Sequence, residues 1–122
     1  MAGIMMETFE KRLARLEYYQ KLLINMVEPS RFPFYQMVIQ KGLTEEEVTE
    51  VFYVCDELMK EYEAQKQLGF VEFRSLLIRF VGMLHPRLTP KETIVKLMQQ
   101  GLYVPLMEQL LQTIEVIQKE EG

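Results

Sequence analysis

Gly42-Leu43-Thr44-Glu45-Glu46-Glu47-Val48 is a helix stop followed at once by a helix start. Glycine is the natural left-handed end of a helix, since it has no Cβ to clash there. Threonine with glutamate three residues on is a capping box, in which each side chain satisfies the other residue's backbone N–H. Three glutamates in a first turn also suit the positive end of the helix. The stretch predicts one helix ending near Lys41 and another beginning after Thr44.

Reading outward, the same punctuation recurs. Upstream, Pro29-Ser30-Arg31-Phe32-Pro33 breaks the chain, and Phe34 to Lys41 forms a short helix with Met37, Val38 and Ile39 apolar. Downstream, a third helix runs to about Leu68, with Val48, Val51, Phe52, Cys55, Met59 and Tyr62 on one face, and Gly69 ends it. A fourth spans about Val71 to Leu84, where His85-Pro86 stops it. Thr89-Pro90-Lys91-Glu92 predicts a second capping box with proline at the first helical position. A short fifth helix presents Ile94, Leu97 and Met98 before Gly101. Pro105 opens the last, whose face is Leu106, Met107, Leu110, Leu111, Ile114 and Ile117. No alternating strand pattern intervenes. The expectation is a single all-α domain over residues 1–122, a multihelical bundle of five or six helices.

The first helix is expected over Ile4 to Glu28, as the longest element, with residues 1–5 a disordered extension. Phe9, Leu13, Leu16, Gln20, Leu23 and Val27, preceded by Met6, follow one another at alternating steps of three and four, a heptad seam with one polar member. Tyr19, Leu22 and Met26 widen it on one flank. Such a seam either packs within its own chain or joins copies of the chain. Gln20 would then fix register or oligomer state.

Composition bounds the function. The 122 residues are 48% hydrophobic and 26% charged, an ordinary globular balance. A net charge of −4 argues against a surface built for a polyanion. One cysteine, Cys55, and one histidine, His85, exclude an intramolecular disulfide and any zinc site of several Cys or His ligands within one chain. Charges follow the N-terminal methionines too soon for a signal peptide, and no run approaches the roughly 20 apolar residues that span a bilayer. A cytoplasmic location is expected, with no membrane association.

The catalytic inventory is nearly empty. Glu46, Glu50, Glu57 and Glu61 share one sector of the third helix, off the Val51-Cys55-Met59 stripe, and read as a solvated face. Cys55 reads as a small buried hydrophobe. His85, after a helix end and before proline, reads as a cap or a solvated residue. No phosphate-cradling loop or nucleophile elbow is present. The pair of helices around Gly42 has the outline of a helix-turn-helix, but its recognition positions would be Glu45, Glu46, Glu47, Thr49 and Glu50, which repel phosphate. Direct nucleic-acid binding is not expected.

Arg15-Leu16-Glu17-Tyr18-Tyr19, Pro33-Phe34-Tyr35, Lys41-Gly42-Leu43, Cys55-Asp56-Glu57-Leu58, Gln65-Lys66, Gly69-Phe70, Glu92-Thr93-Ile94 and Gln100-Gly101-Leu102-Tyr103 before Leu106-Met107 keep an order and spacing that resemble the YhaI-like family of small helical proteins from bacilli. The resemblance, over about residues 10 to 107, implies a multihelical cytosolic fold, with no catalytic residue to carry over. Tyr18, Tyr19, Tyr35 and Tyr103 are candidates for a shared pocket.

The expectation for function is a non-enzymatic protein that forms a homo-oligomer, a dimer or trimer, through Phe9, Leu13, Leu16, Gln20, Leu23 and Val27. It has no catalytic residue, cofactor or metal, and its protein partner is unidentified. A transcription-related binding module and an enzyme of unrecognised type are the alternatives.

Overall fold

A computed structural model describes residues 7–28 and 30–121. Among them the chain forms six α-helices and no strand: α1 (Phe9–Met26), α2 (Pro33–Lys41), α3 (Glu45–Gln67), α4 (Phe73–Met83), α5 (Pro90–Gln99) and α6 (Val104–Glu121). The all-α bundle expected from the caps is the fold.

The first capping box forms as its spacing requires. The Glu47 N–H donates to Thr44 Oγ1 at 3.1 Å, and the Thr44 N–H donates to Glu47 Oε1 at 2.9 Å. Gly42, at φ 66°, ends α2, with its own N–H donating to the Ile39 carbonyl and that of Leu43 to Val38. Those two bonds are the paired closure of a Schellman end.

Two expectations about the helices are corrected. The longest helix is α3, with 23 residues, and not α1, which has 18. Thr8 accepts a hydrogen bond from the Lys11 N–H at 3.2 Å and starts α1 at Phe9, and extended backbone at Val27 ends it. Met6 and the extension expected at residues 1–5 lie outside the described residues. The second capping box does not form: Thr89 makes no side-chain cap bond. Glu92 lies instead 3.7 Å from Lys41 Nζ, at the end of α2. Thr93, the one buried polar side chain among the described residues, donates its hydroxyl back to the Thr89 carbonyl at 2.9 Å.

The core belongs to α2–α6. Helix α6 packs on α3, α4 and α5, while α3 also meets α4 and α2 meets α5. Phe34, Cys55, Leu58, Leu76, Phe80, Ile94, Leu97, Leu106, Met107 and Leu110 are sealed from water at its centre. On α3 the buried face is Val51, Val54, Cys55, Leu58 and Tyr62, so Val54 and Leu58 complete the stripe read from periodicity. Helix α1 takes part in none of these packings, and none of its residues is buried.

A polar clasp joins the α2–α3 turn to the α4–α5 turn. Arg87 donates to both Glu47 oxygens and to the Lys41 carbonyl. His85 Nε2 lies 2.8 Å from Glu47, and its Nδ1 accepts the Arg87 N–H at 3.1 Å. His85, half-buried, is thus part of a clasp between two turns and not simply the helix cap or solvated residue its position before proline suggested.

Candidate interaction surface

On α1 the apolar side chains face water. Phe9 is 84% exposed, Leu23 60% and Met26 77%. Leu13, Leu16, Tyr18, Tyr19, Leu22 and Val27 are also exposed. An 18-residue helix with an apolar seam and no buried residue is unusual, because most helix stability in proteins comes from packing an apolar face. The helix does have local support. Thr8 caps it, and Arg15 forks onto Glu7 through its two terminal guanidinium nitrogens.

The C-terminal half of this seam forms one wall of a groove of about 390 Å³. Leu16, Tyr19, Leu23 and Val27 line it from α1, and Tyr35 and Ile39 line it from α2. Gln20 and Ile24 complete the α1 side, and Gln36 the α2 side. The second wall is fixed by the core. Phe34 and Met37 anchor α2 inward, which turns Tyr35 and Ile39 outward. Gln100 Oε1 accepts the Tyr35 N–H at 3.0 Å, satisfying a donor that Phe32, with no capping side chain, leaves open. The Phe32 ring stacks on Tyr35 with centroids 6.2 Å apart. The N-terminal half of the seam opens a second, smaller depression lined by Phe9, Arg12, Leu13 and Leu16.

The six seam residues named from the heptad therefore fall on this one surface. What periodicity missed was the opposite wall, Tyr35 and Ile39. They stand one helical turn apart on α2, a signal too short to interpret before the buried face of that helix is known.

The four tyrosines do not converge. Tyr19 and Tyr35 share the groove, and Tyr18 lies on the flank of Tyr19 with ring centroids 6.2 Å apart. Tyr103 belongs elsewhere: at φ 54° it turns into α6, and its hydroxyl donates to Asp56 Oδ1 at 2.7 Å. Burial and that carboxylate hold its phenol well above the ordinary range.

The remaining chemical candidates stay structural. Burial, with Asp56 adjacent, pushes the Cys55 thiol up to about 12, so it is protonated at neutral pH and unsuited to nucleophilic attack. Glu46 and Glu50 are exposed, Glu57 and Glu61 half-buried, and no group of three or more potential metal ligands exists among the described residues. The N-terminal turn of α3 presents the exposed carboxylates Glu45 and Glu46. No helix among the described residues is long and apolar enough to cross a membrane.

Residues 6–115 match the family described as "Protein of unknown function (DUF1878)". The chain belongs to that family. Within the matched stretch of this DUF1878 chain lie the whole of α1, both walls of the groove, and the Glu47–Arg87 clasp.

Proposed function

We propose that this DUF1878 protein is a non-enzymatic interaction protein that works as a homo-oligomer, a dimer or trimer, assembled through Phe9, Leu13, Leu16, Gln20, Leu23 and Val27. In finer terms we assign it to the YhaI-like group and to the cytoplasm, where a lone reduced cysteine is the rule.

The observation that carries the proposal is a seam-bearing helix with no buried residue and with its apolar seam side chains 37–84% exposed. Large apolar side chains each offer roughly 150–250 Å² when bare, so the exposed ones on α1 present on the order of 800 Å². That is one partner's share of a standard interface of about 800 Å² per side, and it exceeds the few hundred Å² of contiguous apolar surface that monomers ordinarily leave open. A second copy also fits the shape of the patch. From Phe9 to Val27 the seam extends about 27 Å at 1.5 Å per residue. A small apolar ligand in the groove would cover Leu23 and Val27 and leave Phe9 and Leu13 bare. Another helix covers both halves.

Replacing Leu16 and Leu23 together with glutamate puts charges into a dry seam. Since neither side chain belongs to the core of α2–α6, the expected product is a folded monomer with its helical circular dichroism retained. An undiminished molar mass for that variant contradicts the assignment of the seam.

A further inference from the structure

The α1 seam carries charges that select one arrangement of the copies. Taking Leu13, Gln20 and Val27 as the a positions and Phe9, Leu16 and Leu23 as the d positions, Arg12 and Tyr19 fall at g, and Glu17 and Ile24 at e. In a parallel, in-register coil each g residue faces the e residue five positions on in its neighbour. Arg12 then meets the partner's Glu17, and Tyr19 meets the partner's Ile24. Among the described residues neither Arg12 nor Glu17 has an ion-pair partner in its own chain, whereas the nearby Arg15 is already engaged by Glu7. The Arg12 guanidinium rests over the Phe9 ring, 6.0 Å from its centroid, at the edge of the seam.

The antiparallel alternative fares worse at each place. Pairing Leu13 with the partner's Leu23 and Phe9 with the partner's Val27 sets Glu17 beside the partner's Glu17 near the axis. It also sets the Gln20 amide against the partner's Leu16. Like charges at such flanks oppose pairing, and an amide without a partner in an apolar seam is costly. In the parallel arrangement Gln20 meets the partner's Gln20, and a carboxamide both donates and accepts.

From this charge pattern on an uncovered helix we infer that the copies associate by parallel, in-register pairing of α1, with Gln20 paired across the symmetry axis and Arg12 bonded to the partner's Glu17. The inference rests on the self-association proposed above and adds its direction, register and polar determinants. The axis runs along α1, so every copy presents α2 on the same end of the assembly, with Tyr35 and Ile39 flanking the paired helices.

Cysteine cross-linking tests the direction. Leu13→Cys, Leu23→Cys and Val27→Cys are made singly, with Cys55 left in place because it is buried. Each is oxidised with glutathione disulfide, and the bridges are mapped by peptide mass. Parallel pairing predicts efficient 13–13 and 27–27 bridges. Antiparallel pairing separates those sites by about 15 Å and about 27 Å at 1.5 Å per residue, beyond the ~7 Å Cα separation a disulfide tolerates. Bridges only in mixtures of Leu13→Cys with Leu23→Cys would overturn the inference while leaving self-association intact. A monomeric unmodified protein would instead remove the proposal on which it rests.

Charge reversal gives an independent reading. Glu17→Arg should raise the dissociation midpoint roughly fivefold, and Arg12→Glu with Glu17→Arg should restore it. No recovery in the double variant contradicts the pairing.

Discussion

Arg87 Nη2 donates to both carboxylate oxygens of Glu47, at 2.9 and 3.0 Å, across 40 residues of sequence. The same carboxylate accepts the Thr44 N–H at 2.9 Å and lies 2.8 Å from His85 Nε2. One side chain therefore caps α3 and joins the two turns. The Thr44 N–H, with Arg87 beside it, holds the Glu47 carboxyl down to about 2, against an ordinary 4.5.

That depression sets a pH dependence. The unfolded chain binds the Glu47 proton more readily than the folded one, so stability rises with pH through the interval between the two values. The contribution is complete above about pH 4.5 and is lost as pH falls toward about 2. Glu47→Gln should lower the melting temperature at pH 7, and the gap to the unmodified protein should narrow through that interval. Thermal denaturation of both proteins from pH 7 to pH 2.5 checks it, and a gap independent of pH would contradict it.

Cys55 is sealed in the core with its thiol neutral. Cys55→Ser should cost about 1–3 kcal/mol, because a buried hydroxyl without a good partner carries its desolvation penalty. Urea denaturation measures the loss. In the native protein the thiol should react with a thiol reagent only as fast as the fold opens.

At φ 66°, Gly42 occupies backbone that side chains with a Cβ disfavour, although a Cβ there would meet nothing within 4 Å. Gly42→Ala should therefore cost about 1–2 kcal/mol through backbone conformation alone. The denaturant slope m should stay unchanged, since the surface buried on folding is the same. A neutral substitution would show that the α2 stop contributes no specificity to the turn.

Two leucines of equal size should behave oppositely. Leu110 is wholly buried, and Leu110→Ala should destabilise the fold by about 2–5 kcal/mol. Leu13 is exposed on α1, so Leu13→Ala should weaken assembly and leave the unfolding of the dissociated chain nearly unchanged. Denaturation at several protein concentrations separates the two, because only a linked association makes the midpoint depend on concentration.

The parts legible in the sequence were those that local chemistry decides. Thr44 and Glu47 are three residues apart and need nothing else to form their capping box, and Gly42 ends α2 by its own conformational freedom. Thr89 and Glu92 have the same spacing, yet Thr89 makes no cap bond and Glu92 lies 3.7 Å from Lys41 of α2, a contact that no local pattern encodes. The Glu47–Arg87–His85 clasp was hidden for the same reason. Helix α1 shows a different boundary. Its heptad named the seam residues, but an apolar period reports which face seeks cover and not what supplies it. Met6 continues the apolar period, so periodicity starts α1 too early, whereas Thr8 caps the helix two residues later.

On the function proposed above, copies of the chain cover the α1 seam that a single chain leaves largely exposed. Multi-angle light scattering of the unmodified protein at tens of micromolar tests this most directly. The account predicts two or three times the 14.5 kDa of one chain. A mass of 14.5 kDa at that concentration would contradict it.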